Sequence, residues 1–116
     1  MIDNNTYNKY NILVFISGRT DKGSIEWNIN KWYGYNYSIT YINTDYLLAG
    51  LMNNSELQKI VDNFRLNYYG SIYITTQKKR TRQAIRQLFK KQYEVDLHIK
   101  TYAKLVENVK RIIMRK

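Results

Sequence analysis

The segment of residues 10–17, YNILVFIS, constrains the fold of this 116-residue chain more than any other part of it. Its side chains are mostly apolar at both odd and even positions, whereas a strand with one face in water alternates apolar and polar residues. Such a run is typical of a strand buried on both faces. We therefore predict that it lies in the middle of a sheet that is covered on two sides.

The length and composition indicate one folded domain spanning residues 1–116. The chain contains no proline and five glycines, and no stretch of it has the biased composition of a linker or a disordered tail. It contains no cysteine, which excludes disulfides and thiolate chemistry. No apolar run approaches the roughly 20 residues of a membrane span, and the first residues lack the layout of a signal peptide. We therefore expect an intracellular protein.

Two further strands are predicted directly after the central one. Residues 24–29 alternate apolar and polar side chains, with Ile25, Trp27 and Ile29 on one side, and the preceding GRTDKG has the composition of a turn. Residues 32–42 alternate again and would place Tyr33 and its neighbours at every second position on one face. Three successive strands of this kind predict an antiparallel meander.

The rest of the chain has helical periodicity interrupted by two short strands. Residues 44–52 and 55–66 are predicted as one bent helix or two, residues 71–75 and 95–99 as strands, and residues 80–91 and 102–114 as helices. The predicted fold is therefore mixed α/β: a three-strand antiparallel meander followed by α-β-α-β-α, in which helices pack on a five-stranded mixed sheet.

This element order resembles the ribonuclease H-like fold over about residues 10–114. The resemblance implies metal-binding carboxylates at the end of the first strand, in the first helix and at the end of the fourth strand. These places hold Ser17, the pair Asp45 and Tyr46, and the pair Thr75 and Thr76, so that Asp45 is the only acid among them. The resemblance thus implies a copy that has lost its metal site.

Catalytic and metal-binding constellations are weak in the sequence. Asp21, Glu26 and Asp45 are better explained as a turn residue, a solvent-facing residue and a helix-terminus charge than as a metal site. His98 is the only histidine and shares one side of its predicted strand with Asp96. The glycines form no phosphate-binding loop. We predict a protein that is not an enzyme and uses no metal or cofactor, with a nuclease using the three acids as a remote alternative.

Positive charge is concentrated at one end of the chain. Residues 77–116 contain thirteen Lys and Arg residues against three acids, whereas residues 1–76 contain six of each, so the whole net charge of +10 lies in the last forty residues. Within QKKRTRQAIRQLFKK, residues 77–91, a helix would align Lys79, Arg82, Arg86 and Lys90 beside an apolar face. No acid between Asp62 and Glu94 relieves the mutual repulsion of these cations. The pattern favours a surface that meets a polyanion.

We therefore predict a largely sequence-nonspecific nucleic-acid-binding protein, for DNA or RNA. The predicted binding residues are Lys78, Lys79, Arg80, Arg82, Arg86, Lys90, Lys100, Lys104 and Arg111. The predicted residues for base stacking or a homodimer interface are Trp32, Tyr33, Tyr35 and Tyr37. The alternative is a structural or host-interaction protein that docks on an acidic protein or self-associates. The abundance of Asn, Lys, Ile and Tyr is typical of an AT-rich genome and indicates a virus or mobile element, in which case we expect the host cytoplasm.

Overall fold

The computed structural model describes residues 10–34 and 36–114 and contains one sheet of four parallel strands in the order β2-β1-β3-β4. The strands are β1 (Tyr10–Ile16), β2 (Tyr37–Asn43), β3 (Ser71–Ile74) and β4 (Lys100–Thr101). The helices are α1 (Lys22–Tyr33), α2 (Thr44–Leu48), α3 (Asn54–Arg65), α4 (Lys79–Tyr93) and α5 (Tyr102–Met114). Helices lie on both faces of the sheet.

β1 occupies the centre of the sheet, as its apolar pattern predicts. Ile12, Leu13, Val14 and Phe15 have no exposed surface. Ile12 and Val14 pack with α1 and α5 on one face of the sheet. Leu13 and Phe15 pack with α2, α3 and α4 on the other face. The prediction of a sheet covered on two sides is confirmed, because each face of β1 belongs to a separate core cluster.

The predicted antiparallel meander and five-stranded mixed sheet are wrong. The described residues contain four strands, all pairwise parallel, so the meander on which the resemblance to the ribonuclease H-like fold depended is not present there. The error arises at residues 24–29, which belong to helix α1. Ile25 and Ile29 are four residues apart and are both buried on one side of that helix, while Trp27 is 51% exposed. Apolar residues at every second position, such as Ile25, Trp27 and Ile29, fit the period of a strand. The first and third of them are four residues apart, and this spacing also fits one side of a helix.

The ends of α1 carry the capping signals of a helix. The Asp21 side chain accepts a hydrogen bond from the backbone N–H of Gly23 at 2.9 Å and another from the Ser24 hydroxyl at 2.9 Å. These hydrogen bonds lower the pKa of the Asp21 carboxyl, and the bond from Ser24 has the largest effect. Gly34 follows the last turn with φ of 84°, a conformation that favours glycine. The segment GRTDKG is therefore a helix entry and not the turn of a hairpin.

The later elements follow the sequence pattern more closely. α5 has the predicted bounds, α4 extends the predicted helix slightly at both ends, and α2 and α3 are two separate helices. The predicted strand at residues 95–99 is unpaired and without regular structure, although Val95, Leu97 and Ile99 are buried, and strand pairing begins only at Lys100. The apolar stripe of α5 reaches beyond the core, because Ile112 is 41% exposed.

The strand order creates a switch point between β1 and β3. The chain passes from β1 to β2 on one side and then crosses to β3 on the other side of β1, so the connections that follow β1 and β3 diverge. In doubly wound sheets, ligands commonly bind outside the carboxyl ends of the strands at such a point. Here those connections are residues 17–21 and 75–78.

Tyr41 on β2 contains a buried hydroxyl group that makes no hydrogen bond of ordinary length and angle among the described residues, although the Glu26 carboxylate lies close enough to affect its ionisation. Burial raises the pKa of Tyr41 to about 12, and the nearby Glu26 carboxylate adds to the shift. Below pH 10 this tyrosine is neutral in both the folded and the unfolded chain. Between pH 10 and about 12 it ionises in the unfolded chain only, which lowers the free energy of unfolding.

We predict that Tyr41→Phe stabilises the protein at pH 7 by up to about 1–3 kcal/mol, because it removes a desolvated hydroxyl without a compensating bond. The variant should also lose less stability than the wild type between pH 10 and 12. Urea unfolding at pH 7, 10 and 12 measures both effects. A clear loss of stability at pH 7 would show that the hydroxyl makes a favourable interaction.

Candidate functional site

A groove of about 470 Å³ runs along β4 and brings together three of the predicted cations. Arg82 comes from α4, Lys100 from β4 and Lys104 from α5. The other lining residues are Trp32, Tyr33, Tyr73, His98, Ile99, Thr101, Leu105 and Asn108. None of these lining residues is acidic. The groove therefore combines positive charge, hydroxyl and amide groups, and an exposed aromatic ring.

The packing of α4 determines which of its cations lie near the groove. Ile85 and Phe89 are buried against the sheet, and Arg82 is half-buried at the margin of that apolar face. Arg86 and Lys90 follow Arg82 at intervals of four residues and are exposed. A row with this spacing lies on one side of a helix. The aligned row predicted from the sequence is thus adjacent to the groove at Arg82.

Contacts at two points of α4 show how the helix runs relative to the segment that leads into β4. The Lys90 ammonium donates a hydrogen bond to the Asp96 carboxylate at 3.1 Å, while Arg82 lies at the groove with Thr101. The helix and the segment 95–101 therefore run in opposite directions. Arg86 lies one turn from each of the two outer cations. Lys90 and Arg82 thus lie beside the segment 95–101, and helical spacing places Arg86 between them on the same side of α4.

α5 contributes to the opposite wall of the groove. Leu105 and Val109 are buried in the core, whereas Lys104 and Asn108 line the groove and are separated by one turn. Arg111 is exposed three residues beyond Asn108, so it continues along the same side of the helix. We use the term groove cations for the three that line the groove and the three that follow them along α4 and α5: Arg82, Lys100 and Lys104, and Arg86, Lys90 and Arg111.

Few of these cations have a carboxylate partner. Eleven Lys and Arg residues lie between positions 78 and 111, and within the described ranges only Lys90 and Lys104 form salt bridges, with Asp96 at 3.1 Å and Glu107 at 3.7 Å. Both pairs are exposed, and exposed pairs contribute about 0–1 kcal/mol. No carboxylate of residues 10–76 in the described part of the chain pairs with them. The positive charge is left largely without local compensation.

A network of hydroxyl groups joins two tyrosines that line the groove, Tyr33 and Tyr73, to Ser71 and Tyr10. The Tyr33 hydroxyl bonds the Tyr73 hydroxyl at 2.5 Å and donates to the Ser71 hydroxyl at 3.1 Å, and the Tyr10 hydroxyl also bonds Ser71 at 2.9 Å. The Lys100 ammonium lies 3.5 Å from the Ser71 oxygen and 5.9 Å from the centre of the Tyr73 ring. Burial, followed by the bond to Tyr33, raises the pKa of Tyr73 well above its ordinary value. The network holds the end of α1 against β3.

The four predicted aromatic residues do not form a row on one strand. Trp32 and Tyr33 end α1, whereas Tyr37 begins β2 and packs half-buried against the core. The Tyr33 ring is stacked on Tyr10 with ring centres 4.8 Å apart. Trp32 is 42% exposed at the groove. Tyr35 lies outside the described residues.

The remaining predicted cations, Lys78, Lys79 and Arg80, lie at the start of α4. All three are exposed, and they precede Arg82 by about one turn or less. Lys78 is the N-cap residue of the helix and makes no side-chain capping bond, and its backbone N–H donates to the Thr76 hydroxyl at 3.3 Å. They extend the positive charge of α4 towards the switch point.

Several residues near these surfaces have no strong signal in the sequence. Asn108 and Thr101 line the groove but appear in the sequence as ordinary polar residues of a helix and a strand end. His98 also lines the groove. In the sequence, only its alternation with the apolar residues Leu97 and Ile99, which are buried, indicated that it lies on the other side of the segment. Arg19 is exposed in the connection after β1. This connection was predicted to be a hairpin turn, so the switch point there was not predicted.

The acids considered for a metal site have other positions. Asp21 caps α1, Glu26 lies near Tyr41, and Asp45 is in the first turn of α2. Within residues 10–34 and 36–114, no group of three or more His, Cys, Asp or Glu residues is placed to hold a metal ion. No helix in those ranges has both the length and the apolar character needed to cross a membrane.

Comparison with known proteins gives no relative: no protein-family model, curated protein or solved structure matches this chain. The geometry of the chain itself must therefore carry any functional argument.

We predict that Tyr33→Phe lowers the free energy of unfolding by about 1–3 kcal/mol, because it takes a hydrogen-bond partner from the buried Tyr73 hydroxyl. The double variant Tyr33→Phe/Tyr73→Phe should lose less than the sum of the two single variants, since it removes both members of the bond. Urea unfolding of the three variants measures the coupling. Additive losses would mean that the two hydroxyls stabilise the fold independently.

Proposed function

We propose that the protein binds nucleic acid, without a catalytic step, through the groove cations and the basic start of α4. The observation that carries the proposal is the convergence of Arg82, Lys100 and Lys104 from three separate elements on one groove, whose lining among the described residues includes no acid. Uncompensated cations gathered on one surface produce a positive potential that attracts polyanions. Phosphates at regular spacing along a backbone are matched by cations arranged along a line.

The polar groups beside the cations suit phosphate oxygens. Thr101 and Asn108 line the groove and offer a hydroxyl and an amide as hydrogen-bond donors. Contacts of this kind position a nucleic acid but read no sequence, because every nucleotide presents the same phosphate. We therefore propose weak sequence selectivity, with affinity carried mainly by charge.

A solvated surface that serves solubility alone accounts less well for this arrangement. Solubility requires charge on the surface but gives no reason for cations of three elements to share one groove. Like charges one turn apart on a helix destabilise it by a few tenths of a kcal/mol per pair. Arg82 is also half-buried, so its position is determined by packing. A bound polyanion would offset the repulsion between these cations.

We predict a strong salt dependence of binding. If the six groove cations each neutralise one phosphate, the slope of log K against log salt is about −5 for a duplex and about −4 for a single strand. Fluorescence anisotropy with a labelled oligonucleotide between 50 and 200 mM salt (roughly the range over which this effect is large) measures the slope. A flat response, or no binding at the lowest salt concentration, contradicts the proposal.

We predict that the triple variant Arg82→Gln, Lys100→Gln, Lys104→Gln weakens binding at low salt by at least about tenfold and reduces the salt slope by roughly half, because it removes three of six phosphate contacts. The matched control is Lys59→Gln, Lys91→Gln, Lys110→Gln, which has the same net charge. All three control residues are exposed, and Lys91 lies about two and a half turns from Arg82, on the other side of α4.

The comparison of the two triple variants separates a site from a general charge effect. Equal losses in both variants would mean that net charge alone drives binding and that the groove is not the interface. Thermal unfolding of both variants shows whether they are folded. Polyglutamate provides a further comparison: if it competes as well as an oligonucleotide at equal salt, the groove recognises negative charge in general, and an acidic protein becomes the better partner.

A further inference from the structure

We infer that the groove takes single-stranded nucleic acid and that one base stacks on the indole ring of Trp32. This inference rests on the proposed function and adds to it the class of nucleic acid and the residue that contacts a base. The observation behind it is that the same groove holds three cations and a large aromatic ring with substantial exposed area.

Trp32 is held by its neighbours in a way that leaves its ring accessible. It lies in the last turn of α1, next to Tyr33, whose hydroxyl bonds Tyr73 and Ser71 and whose ring stacks on Tyr10. These contacts fix the helix end, while 42% of Trp32 remains exposed. An aromatic ring on a fixed backbone loses little freedom when a base stacks on it, and every base has a face that can do so.

The second tryptophan shows that exposure alone does not make a stacking site. Trp27 lies on the same helix and is 51% exposed, but it does not line the groove. The Lys31 ammonium lies 5.5 Å from its ring centre, in the range of a cation–π contact. Trp27 is therefore a natural control for Trp32.

The exposed Trp32 side chain in the groove favours a single strand over a duplex. In a duplex the base faces are stacked inside the helix and are not available to a protein side chain, whereas a single strand can turn a base outward while its phosphates stay on the cations. The volume of about 470 Å³ lies within the range of about 300–1,000 Å³ typical of pockets for small ligands. A space of that size can accept a nucleotide unit.

Two apolar side chains of the core line the groove together with Trp32. Leu105 of α5 and Ile99, the residue before β4, line the groove together with Trp32. The cations Lys100 and Lys104 are next to these two apolar residues in the chain. Leu105 and Ile99 are only 2% and 7% exposed, so Trp32 provides most of the apolar area in the groove that a base can cover while the adjoining phosphates reach the cations.

The experiment uses the fact that the chain contains two tryptophans, Trp27 and Trp32. In Trp27→Leu, the tryptophan fluorescence comes from Trp32, and we expect oligo(dT) to quench it in a saturable way. In Trp32→Leu, the signal comes from Trp27 and should not respond. We expect Trp32→Leu to bind oligo(dT) about 5- to 150-fold more weakly at the same salt concentration, the loss expected for one stacked base, while Trp27→Leu binds as the wild type.

Two additional measurements make the result decisive. Trp32→Phe retains an aromatic ring and should recover most of the affinity lost in Trp32→Leu, which a purely structural defect would not explain. A hairpin duplex of equal phosphate number should bind more weakly than oligo(dT) and should not quench Trp32. Circular dichroism and thermal unfolding establish that each variant is folded.

The outcomes distinguish this inference from the proposed function. Salt-dependent binding of oligo(dT) with no quenching in Trp27→Leu and no effect of Trp32→Leu would overturn the stacking inference and leave the proposed function in place. Equal affinity for the duplex and for oligo(dT) would overturn the preference for single strands. An absence of binding to either nucleic acid at low salt would overturn both.

Discussion

The burial of β1 on both faces is the constraint on which the rest of the structure depends. A strand whose consecutive side chains are all apolar needs a helix layer above and below the sheet, and α1 with α5 and α2 with α3 and α4 supply the two layers. Parallel neighbours follow, because each crossing from one strand to the next contains a helix. The last two helices consequently border β4, and the groove cations belong to these three elements.

The sequence predicts an element correctly where its apolar residues fit only one periodicity. The prediction fails where the same residues fit both the period of a strand and that of a helix. β1 and α5 could be recognised because their apolar residues fit a single pattern over many positions. α1 could not, since Ile25, Trp27 and Ile29 fit a strand and Ile25 with Ile29 also fits a helix. The capping residues Asp21 and Gly34 were the signals that favoured the helix. Once α1 was taken as a strand, the sheet direction and the strand count could not be right.

The candidate site was predictable within α4 and not beyond it. The row from Arg82 to Lys90 follows from helical spacing alone, and the lack of nearby acids is visible in the sequence. The meeting of that row with Lys100, Lys104 and Trp32 depends on contacts between residues far apart in the chain, which local patterns do not encode. Trp32 was among the predicted candidates but was placed on a strand, and its position in the groove follows from the tertiary fold.

Two surfaces compete for the role of interface: the groove along β4 and the switch point at residues 17–21 and 75–78. The most direct test is a titration of the isotopically labelled protein with oligo(dT), followed through its backbone amide NMR shifts. Our account predicts the largest changes at the end of α1, at residues 98–101, along α5 from Lys104 to Arg111 and on the groove side of α4. Changes confined to residues 17–21 and 75–77, or to the β2 edge, would contradict it.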